Sequence, residues 1–550
     1  MLDLATLHES LADALPDREC LVWRDRRLTW RQVTDRTRRL ARVLHDHGLG
    51  RHGRATEPWE SPHDHLALYL LNGPEYLEGL LGAHKARVAP FNVNHRYVDA
   101  ELAHLFADAR PGAIVYHARF AATLARVLDG LDRRPLLLQV ADESGAPLLP
   151  GALDYETALG EASPDPLPVR PDPDDLHILY TGGTTGMPKG VLWRIGDLLS
   201  GPLGVRDRDG SPFTGVADAV RAALARPESR VVVAPPMMHG GGTWTALGAW
   251  CGGGVVVIPG RVDRLDPAAL LATAARERVT RMPLVGDAFA RPLAEELDRA
   301  APGTYDLSSL RTILNSAAAI SPGVRDRLTR LLPGTRIIDI LGSSESGFQV
   351  TRQAAGSTPF APVPGVAVVS DDRTRLLAPG EDEVGWLAKG GVIPRGYLGD
   401  PDKTAATFLT VGGRRLVVAG DRARLLTDGR IEVYGREATT INTGGEKVFA
   451  EEVETVLRDV PGVAEALVLG RPHERWGQEV VAVVRLTGGL TDEDLTAACA
   501  ERLARYKIPK VFLRTGDALR LPNGKPDYAA ARAVVARSAP EEDPCPTRTS

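Results

Sequence analysis

The chain is 550 residues long, 43% hydrophobic and 25% charged, with a formal net charge of −5. That length is too great for one core and divides into several folding units, and the acidic balance leaves no electrostatic footprint for nucleic acid. No apolar run reaches membrane-spanning length, and the start Met1-Leu2-Asp3 lacks a basic flank followed by an apolar core, so the expectation is a cytoplasmic protein without a signal peptide. Cys20, Cys251, Cys499 and Cys545 lack CxxC spacing and read as reduced thiols, neither a disulfide framework nor a zinc site.

In chain order, Thr6-x-x-Glu9 and Thr29-x-x-Gln32 are capping-box patterns ahead of apolar-periodic segments. Residues 21–23 and 66–71 read as short strands. Residues 161–175 carry Pro164, Pro166, Pro168, Pro171 and Pro173 among aspartates, a composition for an extended connector. Strand-like residues 176–180 lead into a glycine-rich run, after which strand and helix alternate. Residues 230–234, 255–259, 311–314 and 336–341 are β-rich, and Asp266-Pro267 opens a helix through Arg278. Such alternation predicts a layered α/β architecture with ligand loops at strand ends. Residues 381–434 predict a small β-rich unit. From about residue 437 the rhythm changes: helix over 451–459, strands over 463–469 and 479–486, helix over 492–505. The tail from Ser538 is rich in Pro, Glu and Thr and predicts disorder.

Lysine is nearly absent, eight residues against 58 arginines. A position that keeps lysine therefore points to a need for a compact, mobile ammonium and not a planar fork. Lys189 closes Tyr180-Thr181-Gly182-Gly183-Thr184-Thr185-Gly186-Met187-Pro188-Lys189-Gly190, and Lys525 sits in Leu521-Pro522-Asn523-Gly524-Lys525-Pro526. Glycines in such a run let backbone N–H groups approach phosphate oxygens, threonines add donors and lysine adds charge. A plain Gly/Thr turn is the bland alternative. The run is neither a Walker A loop nor a dinucleotide fingerprint. His45-Asp46-His47 and His63-Asp64-His65 look metal-like, yet no zinc spacing fits them.

The glycine-rich run resembles the signature of the adenylate-forming superfamily of acyl-CoA synthetases, luciferases and adenylation domains, and further motifs follow in the family's order. Pro236-Met237-Met238-His239-Gly240 resembles its histidine-bearing stretch, and Asp339 to Glu345 (Asp-Ile-Leu-Gly-Ser-Ser-Glu) its Tyr-Gly-x-Thr-Glu motif. Gly420-Asp421 resembles the ribose-binding pair and Gly435-Arg436 the pair before the hinge. Thr443-Gly444-Gly445-Glu446-Lys447 with Glu452-Val453-Glu454 resembles the thioester-step loop, and Asn523-Gly524-Lys525 the catalytic-lysine motif. The wording is most similar to the actinobacterial fatty- and steroid-acyl-CoA synthetase branch.

The resemblance implies an α/β fold: a large N-terminal domain of layered α/β subdomains with a small β-barrel-like unit, plus a small mobile α+β C-terminal domain. It places ATP and acid binding in residues 1–435, the mobile domain in 436–537 and a disordered tail in 538–550. It implies ATP, Mg²⁺ and CoA as the small molecules and an AMP-forming acid–CoA ligase as the function. Thr181, Gly182, Gly183, Thr184, Thr185, Gly186 and Lys189 would hold the β,γ-phosphates. Glu345, with Thr181, would hold Mg²⁺, and Ser344 would contact the α-phosphate. Asp421 would bind ribose and Arg436 ribose or phosphate. Lys525 would bridge the acid's oxygen and the α-phosphate. Gly444, Gly445 and Lys447 would cover the site in the CoA step, with Lys507 a candidate for CoA phosphates. Met238, His239, Ser316, Ala317 and Gly342 would line the acid pocket.

Three departures from the family pattern stand out. Thr439 occupies the hinge-aspartate position and Ala450 a proline position. Asn315-Ser316-Ala317-Ala318 replaces the Ser-Gly-Gly-Ala of close relatives, which predicts a narrower acyl slot, since added atoms overpack a pocket shaped for glycine. Two alternatives share the chemistry: a diazotase that activates nitrite for an aromatic amine, and an enzyme that loads a carrier protein. Amino-acid activation lacks an aspartate around residues 237–244 to pair the α-amino group.

Overall fold

A computed structural model of the chain describes residues 2–181, 188–207, 209–318, 320–352, 359–436, 439–443, 446–473, 477–503, 505–521 and 524–538. Four sheets organise it. The eight-stranded sheet runs, edge to edge, through Gly396–Tyr397, Lys189–Arg194, Leu176–Thr181, Ala89–Asn92, His65–Tyr69, Ala113–His117, Leu136–Val140 and Leu153–Asp154. Its six strands from Leu176–Thr181 onward pair in parallel, and a hairpin turns Lys189–Arg194 back antiparallel. The nine-stranded sheet is parallel from Arg336–Ser343 through Thr312–Asn315, Arg281–Leu284, Arg230–Val232 and Val255–Ile258 to Glu19–Trp23.

These sheets share one core. Leu68, Val115, Leu179 and Trp193 of the first and Leu21, Val231 and Val256 of the second cluster with helices Leu4–Ala14, Trp30–Asp46, Pro74–Lys85 and Gly240–Cys251. Parallel sheets need helical cover on their faces, and their strands are accordingly apolar throughout. The predicted capping box at Thr29 forms: Gln32 N–H donates to Thr29 Oγ1 at 3.3 Å and Thr29 N–H to Gln32 Oε1 at 2.9 Å. The pattern at Thr6 does not act as a cap. The first helix begins earlier, at Leu4, because the Asp3 carboxylate already takes the Thr6 N–H at 2.7 Å, and Glu9 is drawn off to pair with Lys85 and Arg38.

The third sheet, antiparallel and six-stranded, spans Val366–Val369 to Ile431–Arg436 and has apolar clusters on both faces, Leu387 and Ala423 in one, Trp386 and Leu416 in the other. The fourth contains Thr440–Thr443, Glu446–Phe449, Val463–His473, Gly477–Leu486 and Val511–Arg514, covered by helices Ala450–Arg458, Asp492–Ala500 and Tyr528–Arg537. The fold is thus mixed α/β with a large N-terminal part and a small C-terminal α+β part. The helix predicted over 492–505 stops at Ala500, where the bonding tightens as Arg502 N–H reaches back three residues to the Cys499 carbonyl at 3.1 Å. The predicted tail lies outside the described residues from 539 onward. No helix among the described residues is long and apolar enough to cross a membrane.

The metal-like histidine pairs are structural. His47 Nδ1 meets the Val43 carbonyl at 2.7 Å and His63 Nε2 meets Asp175 at 3.1 Å. Burial lowers the pKa of His8, His63, His65, His84, His95, His117, His177 and His239, to about 4 in His65, His95, His117 and His177 and about 3 in His84 and His239. The unfolded chain protonates these rings below their ordinary 6.5, while in the folded chain His65, His84, His95, His117, His177 and His239 resist down to about 4 or about 3, so folding stability drops as pH falls through that window. Each ring contributes up to about 1.4 kcal/mol per pH unit. The melting temperature should therefore fall steeply between pH 6.5 and 5, with several protons taken up on unfolding in calorimetry across buffers of different ionisation heat. A flat melting profile over that range contradicts the buried-histidine account.

Candidate active site

Thr181 and Lys189 face each other across the hairpin of Leu176–Thr181 and Lys189–Arg194. Gly182, Gly183, Thr184, Thr185 and Gly186 lie outside the described residues. The Lys189 ammonium meets Asp400 Oδ2 at 3.2 Å and lies 6.0 Å from the centre of the Tyr397 ring. Strand Gly396–Tyr397 brings both partners there by pairing with Lys189's own strand, Tyr397 opposite Val191. The same Tyr397 donates its hydroxyl to Glu345 Oε1 at 3.0 Å. Lys189 and the candidate metal carboxylate Glu345 thus meet around one tyrosine.

Glu345 sits on a turn between antiparallel strands Arg336–Ser343 and Gly347–Arg352. Several donors fix that turn. Ser343 N–H donates to Ser346 Oγ at 3.1 Å, Glu345 N–H to Ser343 Oγ at 3.2 Å and Trp193 Nε1 to the Ser344 carbonyl at 2.8 Å. Beneath it the buried Lys389 ammonium donates to the Ser346 and Phe348 carbonyls at 2.8 and 2.7 Å, its pKa pulled down to about 8 by burial and the Arg206 charge. Gly342 is obligatory, because a Cβ there would lie 2.0 Å from the Gly347 carbonyl oxygen.

On the acid side, two buried asparagines hold the segment that carries His239. Asn72 accepts the Met237 N–H at 2.6 Å and donates to the Pro235 carbonyl at 3.0 Å. Asn92 donates to the Met238 carbonyl at 2.7 Å and the Tyr180 carbonyl at 2.8 Å, joining this segment to the strand before the glycine-rich run. His239 then occupies the N-cap of helix Gly240–Cys251. Its buried Nε2 has no hydrogen-bond partner among the described residues. Burial first, then the charges of Lys525, Arg96 and His95, push its pKa down to about 3, so the ring is neutral at ordinary pH.

Ser316 faces this helix from the end of strand Thr312–Asn315; its Oγ lies 3.6 Å from where a Cβ on Gly241 would stand. Ala317 has φ +64°, a left-handed conformation that an alanine holds at about 1 kcal/mol above glycine. Asn315 is a bracket: its carbonyl oxygen takes the Gly286 N–H at 2.8 Å, and its amide donates to the Ala318 carbonyl and Asp339, both at 2.9 Å. Asp339 is in turn paired with Arg325 and Arg352.

Lys525 comes from the small C-terminal part, yet its charge acts on His239. The loop before it docks at Gly524, whose φ is +81° and whose missing Cβ would stand 2.9 Å from Ala288 Cβ and 3.2 Å from Val285 Cγ1. Asp421 is 8% exposed, opposite Arg436 in the antiparallel ladder. Of Arg436 and Lys447 the backbone alone is described, and Gly444 and Gly445 lie outside the described residues. Lys507 is engaged by Glu452 at 2.7 and 2.8 Å in this arrangement. The structure therefore brings together Lys189, Glu345 and Thr181 on one side and His239, Met238, Ser316 and Lys525 on the other.

Three residues escaped sequence reasoning. Arg96, whose Nη1 is buried without a partner among the described residues and whose pKa burial lowers, bears on His239. Nothing marks it among 58 arginines. Tyr397 and Asp400 lie in Gly396-Tyr397-Leu398-Gly399-Asp400, and only the fold shows that this turn returns to Lys189.

The chain matches the family model of AMP-binding enzymes over residues 9–398 and that of the AMP-binding enzyme C-terminal domain over residues 452–525. It is 46% identical to the medium-chain acyl-CoA ligase Mig of Mycobacterium avium over 533 residues, covering 95% of this chain and 96% of that protein. It is 34% identical to a 3-oxocholest-4-en-26-oate–CoA ligase of Rhodococcus rhodochrous, covering 96% and 95%. In fold it resembles the anthranilate CoA ligase AuaEII crystallised with anthranoyl-AMP, with a TM-score of 0.81 at 20% identity, 98% of both chains being covered. These agreements run the length of both parts, in the order the motifs predict. The chain belongs to the AMP-binding, adenylate-forming enzyme family.

Proposed function

We propose that this protein is an AMP-forming acid–CoA ligase whose substrate is a medium-length aliphatic acid. The observation that carries the reading is the docking of the C-terminal part beside Lys525, where Gly524 packs against Val285 and Ala288 of the N-terminal part, with the Lys525 charge bearing on His239. A carboxylate and a triphosphate repel one another, so adenylation needs positive charge placed where the two anions meet. In the first step a carboxylate oxygen attacks the α-phosphorus, the bond to the bridging oxygen breaks and pyrophosphate leaves with its electron pair. Lys525 neutralises the attacking and α-phosphate oxygens, and Lys189 with the Thr181 loop holds the leaving phosphates. His239, neutral and without a partner, walls the pocket without competing for the carboxylate as a fixed cation would. In the second step the CoA thiol attacks the acyl carbon, loses its proton, and AMP departs.

Mg²⁺ fits the donors available. It commonly takes one or two carboxylates and completes its shell with phosphate oxygens and water, and Glu345 is half-buried, with one carboxylate oxygen accepting from the Tyr397 hydroxyl. Bound there with the nucleotide, the ion would offset phosphate charge. Ribose binding by Asp421 and Arg436, and cover of the CoA step by Gly444, Gly445 and Lys447 after rotation near residues 435–439, complete the proposal. The same reading takes residues 1–435 as the adenylation domain and 436–537 as its mobile partner, in the cytoplasm. The medium-chain assignment rests on the 46% identical relative and on Ser316 and Ala317 narrowing the slot. Nitrite activation and carrier loading gain no support from the CoA ligases named above.

Incubation with ATP, Mg²⁺, CoA and an acid panel should release AMP only when both acid and CoA are present, most rapidly for medium chains; release driven by nitrite instead would overturn the ligase reading. Lys525→Ala should slow adenylate formation by about 10²–10³-fold while ATP binding by calorimetry holds. Gly524→Val should block docking on Val285 and Ala288, slowing adenylation far more than CoA transfer from a supplied acyl-adenylate. Equal loss in both half-reactions would refute that docking role. Ala317→Gly should shift turnover toward bulkier acids, and an unchanged acid profile would remove Ala317 from specificity.

A further inference from the structure

Asp400 has two oxygens with separate tasks. Oδ1 caps helix Pro401–Thr407 by accepting the Lys403 N–H at 2.8 Å, while Oδ2 meets the Lys189 ammonium at 3.2 Å. Its backbone is pinned as well. Leu398 N–H donates to the Gly190 carbonyl at 2.8 Å, Gly399 N–H to the Trp59 carbonyl at 2.9 Å, and Thr404 N–H to the Asp400 carbonyl at 3.0 Å. The carboxylate is therefore fixed, and the lysine on its four-carbon stem is the mobile partner. The two side chains are 40% and 35% exposed, so solvent screens the pair and its loss costs the fold little. A cap alone needs no second oxygen aimed at a lysine, and lysines are eight in this chain.

We propose that Asp400 is a positioning residue that competes with the β- and γ-phosphates of ATP for the Lys189 ammonium and thereby sets how tightly the nucleotide is held. The inference rests on Lys189 being a phosphate ligand. An acid at this place weakens the field that the loop offers a polyphosphate, and with it the retention of pyrophosphate after the adenylation step. AMP has no β- or γ-phosphate and is outside the competition.

The test uses variants that keep the cap and remove the charge, since Asn and Ser cap helices about as well as Asp. In calorimetric titrations of the full-length protein with Mg²⁺ present, Asp400→Asn and Asp400→Ser should lower the Kd for ATP by about two- to fivefold and leave the Kd for AMP in place. Tightening is an outcome that damage to the fold or the cap does not produce. Unchanged or weaker ATP binding, or AMP tightened as much as ATP, overturns the proposal. Lys189→Ala separates the two levels: it should weaken ATP binding, and if it does not, the phosphate-ligand reading of Lys189 itself falls.

Discussion

The antiparallel pairing of Gly396–Tyr397 with Lys189–Arg194 is the interaction on which the nucleotide side depends. Those two residues arrive from more than two hundred positions away in sequence, at the edge of the eight-stranded sheet. Through them the turn that follows sets Asp400 against Lys189, and the Tyr397 hydroxyl reaches the Glu345 turn at the rim of the other large sheet. Held by a neighbouring strand, a fixed carboxylate and a tyrosine ring, the Lys189 ammonium has a defined place, and under the proposed reading that is the preorganisation electrostatic catalysis requires.

The acid side is built by the opposite device, polar groups withheld from partners. Asn72 and Asn92 spend their amides on backbone carbonyls, which fixes the His239 segment without adding charge. His239 and Arg96 then present buried nitrogens without partners among the described residues. Unpaired buried donors are costly in a resting fold, and a ligand whose oxygens satisfy them recovers that cost on binding.

Much of this was legible in the sequence, for a physical reason. Lysine scarcity singled out Lys189 and Lys525, and strand–helix alternation gave the layered α/β plan. Helix boundaries were less legible where a competing partner intervened, as where Asp3 pre-empted Thr6 as a cap; the helix expected to run to 505 ends at Ala500, and its tightened last turn at Cys499 carries no local mark in the sequence. The missed site residues share one property. Arg96, Tyr397 and Asp400 belong to commonplace residue types in commonplace contexts, and their significance is set by long-range register, which a local pattern does not encode. The apparent departure at Asn315 illustrates the converse. In sequence it stands only as the first residue of a segment whose next two positions suggest a change in pocket shape, whereas its side chain is fully used in bracketing Gly286, Ala318 and Asp339.

That leaves Ser316 and Ala317 as the departures on which the proposed narrowing of the acid slot rests. A residue with φ +64° ordinarily favours glycine, and alanine there carries strain for no structural return visible around it. Its neighbour Ser316 stands close to Gly241, on a helix whose first three residues are glycines. The helix start is bare where it faces Ser316, while the facing strand end carries added atoms and backbone strain. Under the proposed reading that bulk would narrow the acid slot from one wall alone, since the His239 segment stays where Asn72 and Asn92 fix it. Strain of this kind is found where a site selects for it, and under the proposed ligase reading the Ser316–Ala317 wall is where acids would be told apart, the charge-bearing residues serving the chemistry common to every substrate.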